Sequence, residues 1–201
     1  MPRLGLVYED ESIRVAFEIL TRKILDPNTE VVARSGGSWP GMVGDARRLL
    51  QVLSVEHISS PLDCVFVMFD TNGTAPGSRI ALLTGHVGNR TYRFGTPIYH
   101  GIVRQIETWL LGDHNALEQA AKGHLTRQAT PETLADPKRY LIQVLANLNG
   151  GRVPYDRNFL RSVFESADLN QIAQTCPGFA SFRQKLQNCR SQQLPLSGLA
   201  P

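Results

Sequence analysis

The sequence predicts an α/β protein, with a mostly parallel central sheet flanked by helices and a helical extension after it. Short apolar runs alternate with amphipathic segments through the first half of the 201-residue chain, an order that calls for right-handed crossovers between parallel strands. One run, Cys64 to Phe69, is apolar at every position, as a strand covered on both faces must be. After Gly112 only helical spacing remains.

Leu4 to Tyr8 reads as a buried first strand. Ser12 is a fitting N-cap for the next helix, in which Ile13, Ala16, Phe17, Leu20 and Ile24 share a face and which Pro27 ends. Glu30 to Arg34 supplies a second strand, Gly36-Gly37-Ser38-Trp39-Pro40-Gly41 a loop, and Ala46, Leu49, Leu50 and Leu53 the core face of a second helix. Cys64 to Phe69 belongs mid-sheet, and the small polar residues from Asp70 to Ser78 form the loop at its carboxyl end. A short helix is expected at Ile80 to Leu83. Thr91 to Ile98 alternates and carries Tyr92 and Phe94, which predicts a strand that Pro97 confines to an edge or a terminus. A helix from Gly101 to Leu111 follows.

In the remainder, Asp136-Pro137 is a helix start, with Asp as N-cap and Pro at the first helical position. Tyr140, Leu141, Val144 and Leu145 continue it at helical spacing; Phe159, Leu160, Val163 and Phe164 mark another helix, and Phe179, Phe182 and Leu186 a last one. The expected organisation is a core over residues 1–113, a helical extension packed on it over 114–190, and a flexible tail over 191–201.

Composition narrows the function classes. Hydrophobic residues make up 42% and charged residues 19%, the balance of a globular chain rather than a disordered or fibrous one. No apolar run approaches the roughly 18 residues of a membrane span. Met1-Pro2-Arg3-Leu4-Gly5 enters a strand without a signal peptide's apolar stretch, so a cytoplasmic location is expected. A net charge of +3 is too small for a general nucleic-acid glove, and contact with nucleic acid would need a local basic patch. Cys64, Cys176 and Cys189 are too scattered for a disulfide framework or zinc site; they are expected to be reduced, with Cys64 in the core.

Chemistry concentrates where two apolar runs end. The first hands over at Glu9-Asp10-Glu11-Ser12, the second at Asp70-Thr71-Asn72. In an open parallel sheet, ligands bind beyond the carboxyl ends of the strands. Carboxylates gathered there repel one another unless a cation lies between them, and hard oxygen ligands favour Mg²⁺ or Mn²⁺. Glu9, Glu11, Asp70 and Asn72 are the candidate ligands. The competing reading is structural: the first acids cap a helix and meet its dipole, and Asp70 makes an Asx turn.

These acids resemble the marks of the TOPRIM domain, the metal-binding fold of topoisomerases, primases and OLD-family nucleases: a Glu after the first strand, here Glu9, and an Asp-x-Asp after the third, here Asp70-Thr71-Asn72. Within that fold the chain looks most like small stand-alone bacterial RloB-like proteins. Their helix reads roughly Arg-Glu-x-Glu-Ala-Trp-Leu-Leu-Ala-Asp, and this chain has Arg104-Gln105-Ile106-Glu107-Thr108-Trp109-Leu110-Leu111-Gly112-Asp113; Asp136-Pro137-Lys138 fits a second recurring helix start. A receiver domain, with Asp70 as its phosphoacceptor, is a poorer match because no later strand ends in lysine. Two positions depart from the TOPRIM pattern: Asn72 replaces the second Asp, and Ile13 would align with the last Glu of a Glu-Gly-x-x-Glu version.

The resemblance implies a TOPRIM-like fold with a Mg²⁺ or Mn²⁺ site and catalytic Glu9, Asp70 and Glu107. It implies Mg-dependent phosphodiester hydrolysis of DNA or RNA in anti-phage defence, with an ABC-class ATPase as possible partner. Glu107 otherwise pairs with Arg104 one turn earlier, and Trp109 is expected in the core. Arg152, Tyr155, Arg157 and Arg161 form a basic cluster with one aromatic, suited to phosphates and a base. None of the five histidines has ligand spacing, although His100 precedes the Glu107 helix. The Gly36-Gly37-Ser38 loop lacks the Lys-Ser/Thr ending of a P-loop. The alternative function is a non-catalytic interaction or regulatory subunit with a degraded metal site, which Asn72 and Ile13 favour.

Overall fold

A computed structural model describes residues 1–148 and 154–191. Four parallel strands form the sheet: β1 (Arg3–Tyr8), β2 (Glu30–Ser35), β3 (Cys64–Asp70) and β4 (Ile98–Ile102), in the spatial order β2-β1-β3-β4. Helices α1 (Glu11–Ile24), α2 (Trp39–Ser59) and α3 (Pro76–Val87) make the crossovers. Beyond β4 come α4 (Glu107–Gly112), α5 (His114–Ala121), a 3₁₀ turn at Pro131–Thr133, α6 (Pro137–Asn147), α7 (Arg157–Ser166), α8 (Leu169–Thr175) and α9 (Pro177–Ser191). The expected α/β class, with its parallel sheet and helical C-terminal region, is the observed one. No described helix is long and apolar enough to cross a membrane.

Strand periodicity divides the core into two layers. Leu4, Leu6 and Tyr8 of β1 and Cys64, Phe66 and Met68 of β3 face α1 and the C-terminal helices, whereas Val7, Val65, Val67 and Phe69 face α2 and α3. The first layer runs on without interruption into Trp109, Phe164, Phe179 and Phe182, so the helices after β4 close one face of the sheet. Lys23 at the end of α1 fastens them, donating to the carbonyls of Phe164, Glu165 and Ala167 at 3.0, 2.9 and 2.6 Å.

The strand order creates the crevice. From β1 the chain leaves over one face towards β2, and from β3 it leaves over the other face towards β4. The loops after these two adjacent strands therefore diverge, which is the switch point where open α/β sheets bind ligands. Glu9 follows β1 directly and Asp70 ends β3.

Several boundaries differ from expectation. Asp10, not Ser12, caps α1, its side chain accepting the Ser12 amide at 2.7 Å. Helix α3 is longer than Ile80 to Leu83. The strand expected over Thr91 to Ile98 starts only at Ile98; Tyr92 and Phe94 instead stack on each other within a tight turn, ring centroids 5.2 Å apart. Gly101 lies in β4, and the helix expected from it starts at Glu107, because Arg104 takes a left-handed conformation (φ 64°) that a helix cannot contain. The cysteines depart as well: Cys64 and Cys189 form a disulfide, leaving Cys176 as a buried free thiol. Of the expected tail, Ser191 ends α9 and the rest lies outside the described residues.

Candidate functional site

Backbone geometry at the switch point joins the two acidic turns. The Glu9 amide donates to the Met68 carbonyl at 3.3 Å, and the Asp70 amide donates to Glu9 Oε2 at 3.1 Å. Asp70 Oδ1 accepts the Ile106 amide at 3.0 Å, one residue before α4. Glu107, the first residue of α4, is only 1% exposed. Three elements thus bring Glu9, Asp70 and Glu107 together, with Asp10 at the rim.

Burial disfavours all three carboxylates as anions, and at Asp70 the neighbouring acids add to it. Burial first, then the charges of Glu107, Glu9 and Asp10, holds Asp70 well above the ordinary carboxylate range. Glu9 is raised by burial, partly offset by the Asp70 amide and the Arg79 charge. Glu107 is raised by burial as well, against the opposing pull of the Tyr155 hydroxyl and Lys138. The buried Asp70, with Glu107, Glu9 and Asp10 around it, is complementary to positive charge.

Glu107 already has two partners. The Tyr155 hydroxyl donates to its Oε1, and Lys138 Nζ stands 3.7 Å from the same oxygen. Lys138 occupies the second helical position of α6, set there by Asp136 as N-cap and Pro137 at the first position. The expected Arg104–Glu107 pairing is replaced by these contacts. Tyr155, expected to meet a nucleic-acid base, instead spends its hydroxyl on Glu107.

The turn after Asp70 is held in an unusual conformation. Asn72 (φ 47°) and Gly73 (φ 87°) are left-handed, as is Arg104 in the facing loop. The loops are sewn together by Asn72 N–H to the Arg104 carbonyl at 2.8 Å and Arg104 N–H to Thr71 Oγ1 at 2.9 Å. Non-glycine residues at positive φ are uncommon and gather at functional sites. Asn72 is exposed and its Oδ1 accepts Gln105 Nε2 at 3.2 Å, a partner it has outside the carboxylate group.

The remaining expected residues separate from the cluster. Glu11 accepts the Tyr8 hydroxyl at 2.6 Å and Arg14 Nε at 2.8 Å, and the Tyr8 bond, ahead of Arg14, lowers its pKa. Arg157 and Arg161 are exposed, Arg161 beside Glu165 at 3.6 Å; Arg152 lies outside the described residues. His100 is buried against Trp109 and Phe182, where burial pushes its pKa down to about 3 and keeps it neutral. Trp109 is fully buried, as expected.

Arg79 and Trp39 were not visible as site residues in the sequence. Arg79 donates from Nη1 to the Asp70 carbonyl at 2.7 Å, and its guanidinium lies 4.2 Å from the centroid of the Trp39 ring. Both belong to helix starts facing the crevice, α2 and α3, and neither sits in a recognisable motif. A cavity of about 240 Å³ beside Met1, Leu4, Asp63 and Cys189 lies at the opposite end of the sheet.

The protein is thus a parallel α/β protein with a group of three carboxylates, Glu9, Asp70 and Glu107, at its switch point. It matches the family described as a domain of unknown function (DUF4276) over residues 8–187, and it belongs to that family. No curated protein and no solved structure matches it.

Proposed function

We propose that the chain is a Mg²⁺- or Mn²⁺-dependent nuclease that hydrolyses phosphodiester bonds of DNA or RNA. The observation that carries this reading is the convergence of Glu9, Asp70 and Glu107 from three elements on the switch-point crevice. Hard oxygen donors whose charges repel one another fit a divalent cation. Among the described residues, no three His, Cys, Asp or Glu side chains already stand arranged to hold a metal ion, so the ligands would have to draw closer around it. Glu9 and Asp70 would hold the cation, with Glu107 as third carboxylate. When bound, the cation would polarise the phosphodiester and make water an effective nucleophile near neutral pH.

The chain's own groups have defined tasks in this scheme. The Ile106 amide fixes Asp70 Oδ1, and the Asp70 amide fixes Glu9 Oε2, so both carboxylates are oriented before any ligand arrives. Tyr155 and Lys138 hold Glu107. The TOPRIM resemblance that suggests this activity also suggests an ABC-class ATPase partner and a role in defence against phage.

A second reading, a non-catalytic interaction or regulatory subunit, is favoured by one arrangement: Lys138 already supplies a positive charge to Glu107, and Asn72 turns to Gln105. Thermal melting with and without millimolar Mn²⁺, together with cleavage assays, separates the two. The nuclease reading expects a raised midpoint and cleavage in the wild type, and neither in Glu9→Gln or Asp70→Asn. An unchanged wild-type midpoint and no cleavage would support the second reading.

A further inference from the structure

At the edge of the carboxylate group stands an arginine whose charge reaches Glu9 but which forms no close ion pair. Arg79 makes one hydrogen bond, to the Asp70 carbonyl, and lies over Trp39; among the described residues no carboxylate is within ion-pairing distance of it. Two other cations of this region are committed to acids. Lys138 faces Glu107, and Arg14 bridges Glu11 and Glu18. A guanidinium has five N–H donors in a rigid fork, so four remain after the carbonyl is satisfied.

We propose that Arg79 is a substrate-contacting residue that grips a backbone phosphate of a nucleic-acid chain beside Glu9 and Asp70. This rests on the nuclease reading. A polyanion approaching three carboxylates is repelled, and a cation at the crevice edge is what would let it dock. Stacking on Trp39 holds the guanidinium in place in advance, so little freedom is lost when phosphate arrives. Trp39 is itself fixed, packing on Phe69 of β3 with ring centroids 5.0 Å apart. A purely structural role, capping one carbonyl at a strand end, needs one donor and no planar fork, and lysine would fill it.

The test uses fluorescein-labelled mixed-sequence single-stranded DNA and RNA 20-mers in Ca²⁺, read by anisotropy over a range of salt. Arg79→Lys and Arg79→Ala should each weaken binding about tenfold, and Arg79→Ala should reduce the salt slope by about one. Trp39→Phe, which keeps an aromatic face, should bind as the wild type does, and Trp39→Leu as Arg79→Lys does. Mn²⁺ titration calorimetry of Arg79→Ala should show affinity at least equal to the wild type, separating lost phosphate contact from a damaged metal site. Circular dichroism checks the fold, and Arg79→Lys carries the test if Arg79→Ala does not fold. Wild-type affinity in both Arg79 variants would overturn the proposal and leave the nuclease reading intact. Failure of the wild type to bind either oligonucleotide would remove the nuclease reading and this proposal together.

Discussion

The Tyr155 hydroxyl donates to the Glu107 carboxylate across 48 residues of chain. Tyr155 lies just before α7, in the helical half of the molecule, and Glu107 opens α4 beside the end of β3. The helices after β4 therefore complete the crevice as well as covering a face of the sheet. Glu107 raises the Tyr155 pKa in turn, after burial, so the phenol remains a proton donor to the carboxylate throughout the accessible pH range.

Tyr155→Phe should leave a nearly buried carboxylate with Lys138 as its remaining side-chain partner. A hydrogen bond to a charged group contributes about 1.5–3 kcal/mol, and urea unfolding is expected to show a loss in that range. The Glu107 pKa should rise further, a change visible by ¹³C NMR of the carboxyl group. An unchanged midpoint would mean that the bond contributes nothing net.

The raised acids make a signed pH prediction. Asp70 ordinarily titrates at 3.8 and is held well above that value in the fold. Between the two values the folded state binds the extra proton, so stability is fully present below the unfolded pKa and is lost as pH rises through the folded one. Glu9 and Glu107 act in the same direction, whereas Glu11, lowered in the fold, contributes stability that is lost as pH falls. Subtraction isolates the site: in chelator, Asp70→Asn should gain on the wild type as pH rises from about 4 towards neutrality. Parallel stability curves would refute the coupling.

What could be read from sequence followed local physics, and what could not was set by tertiary contact. β1 and β3 are legible because both faces are buried and nearly every residue is apolar. Glu9 and Asp70 are legible for the related reason that acids end those runs. Tyr92 and Phe94 imitate the alternation of a strand, yet they stack in a turn, since alternation records burial and not hydrogen bonding. Glu107 stands out through a resemblance, but its partners Lys138 and Tyr155 are 31 and 48 residues away, beyond any local pattern. Arg79 carries no signal at all in sequence; its place comes from the Asp70 carbonyl and the Trp39 ring.

Lys138 discriminates between a crevice that takes a cation and one that has an ammonium in its stead. Its Nζ is 3.7 Å from Glu107 Oε1 on a side chain 44% exposed, so its charge is partly screened and its repulsion of an incoming cation is modest. Lys138→Met should therefore tighten Mn²⁺ binding about two- to fivefold by calorimetry, while Lys138→Arg leaves it near the wild type. If Lys138→Met weakened Mn²⁺ binding, the ammonium would be supporting the ligand geometry rather than opposing the ion.

The disulfide gives a prediction independent of the site. Cys64 opens β3 and Cys189 lies near the end of α9, with Cα atoms 6.1 Å apart and 125 positions between them in sequence. A cross-link closing a loop of this order restricts the unfolded chain enough to add roughly 4–5 kcal/mol in the chain-entropy account. For a chain of this size that corresponds to a melting shift on the order of 10 °C. Reductant should lower the wild-type midpoint by about that amount, and Cys189→Ser should melt at the reduced value with or without reductant. Cys176 is buried, which pushes its thiol up to about 12, so it should react only after unfolding, and titration of the denatured, unreduced protein should count one thiol. Because the cross-link is at the amino ends of the strands, Mn²⁺ affinity should be equal in Cys189→Ser and wild type. Three titratable thiols and a midpoint insensitive to reductant would show that the pair does not form.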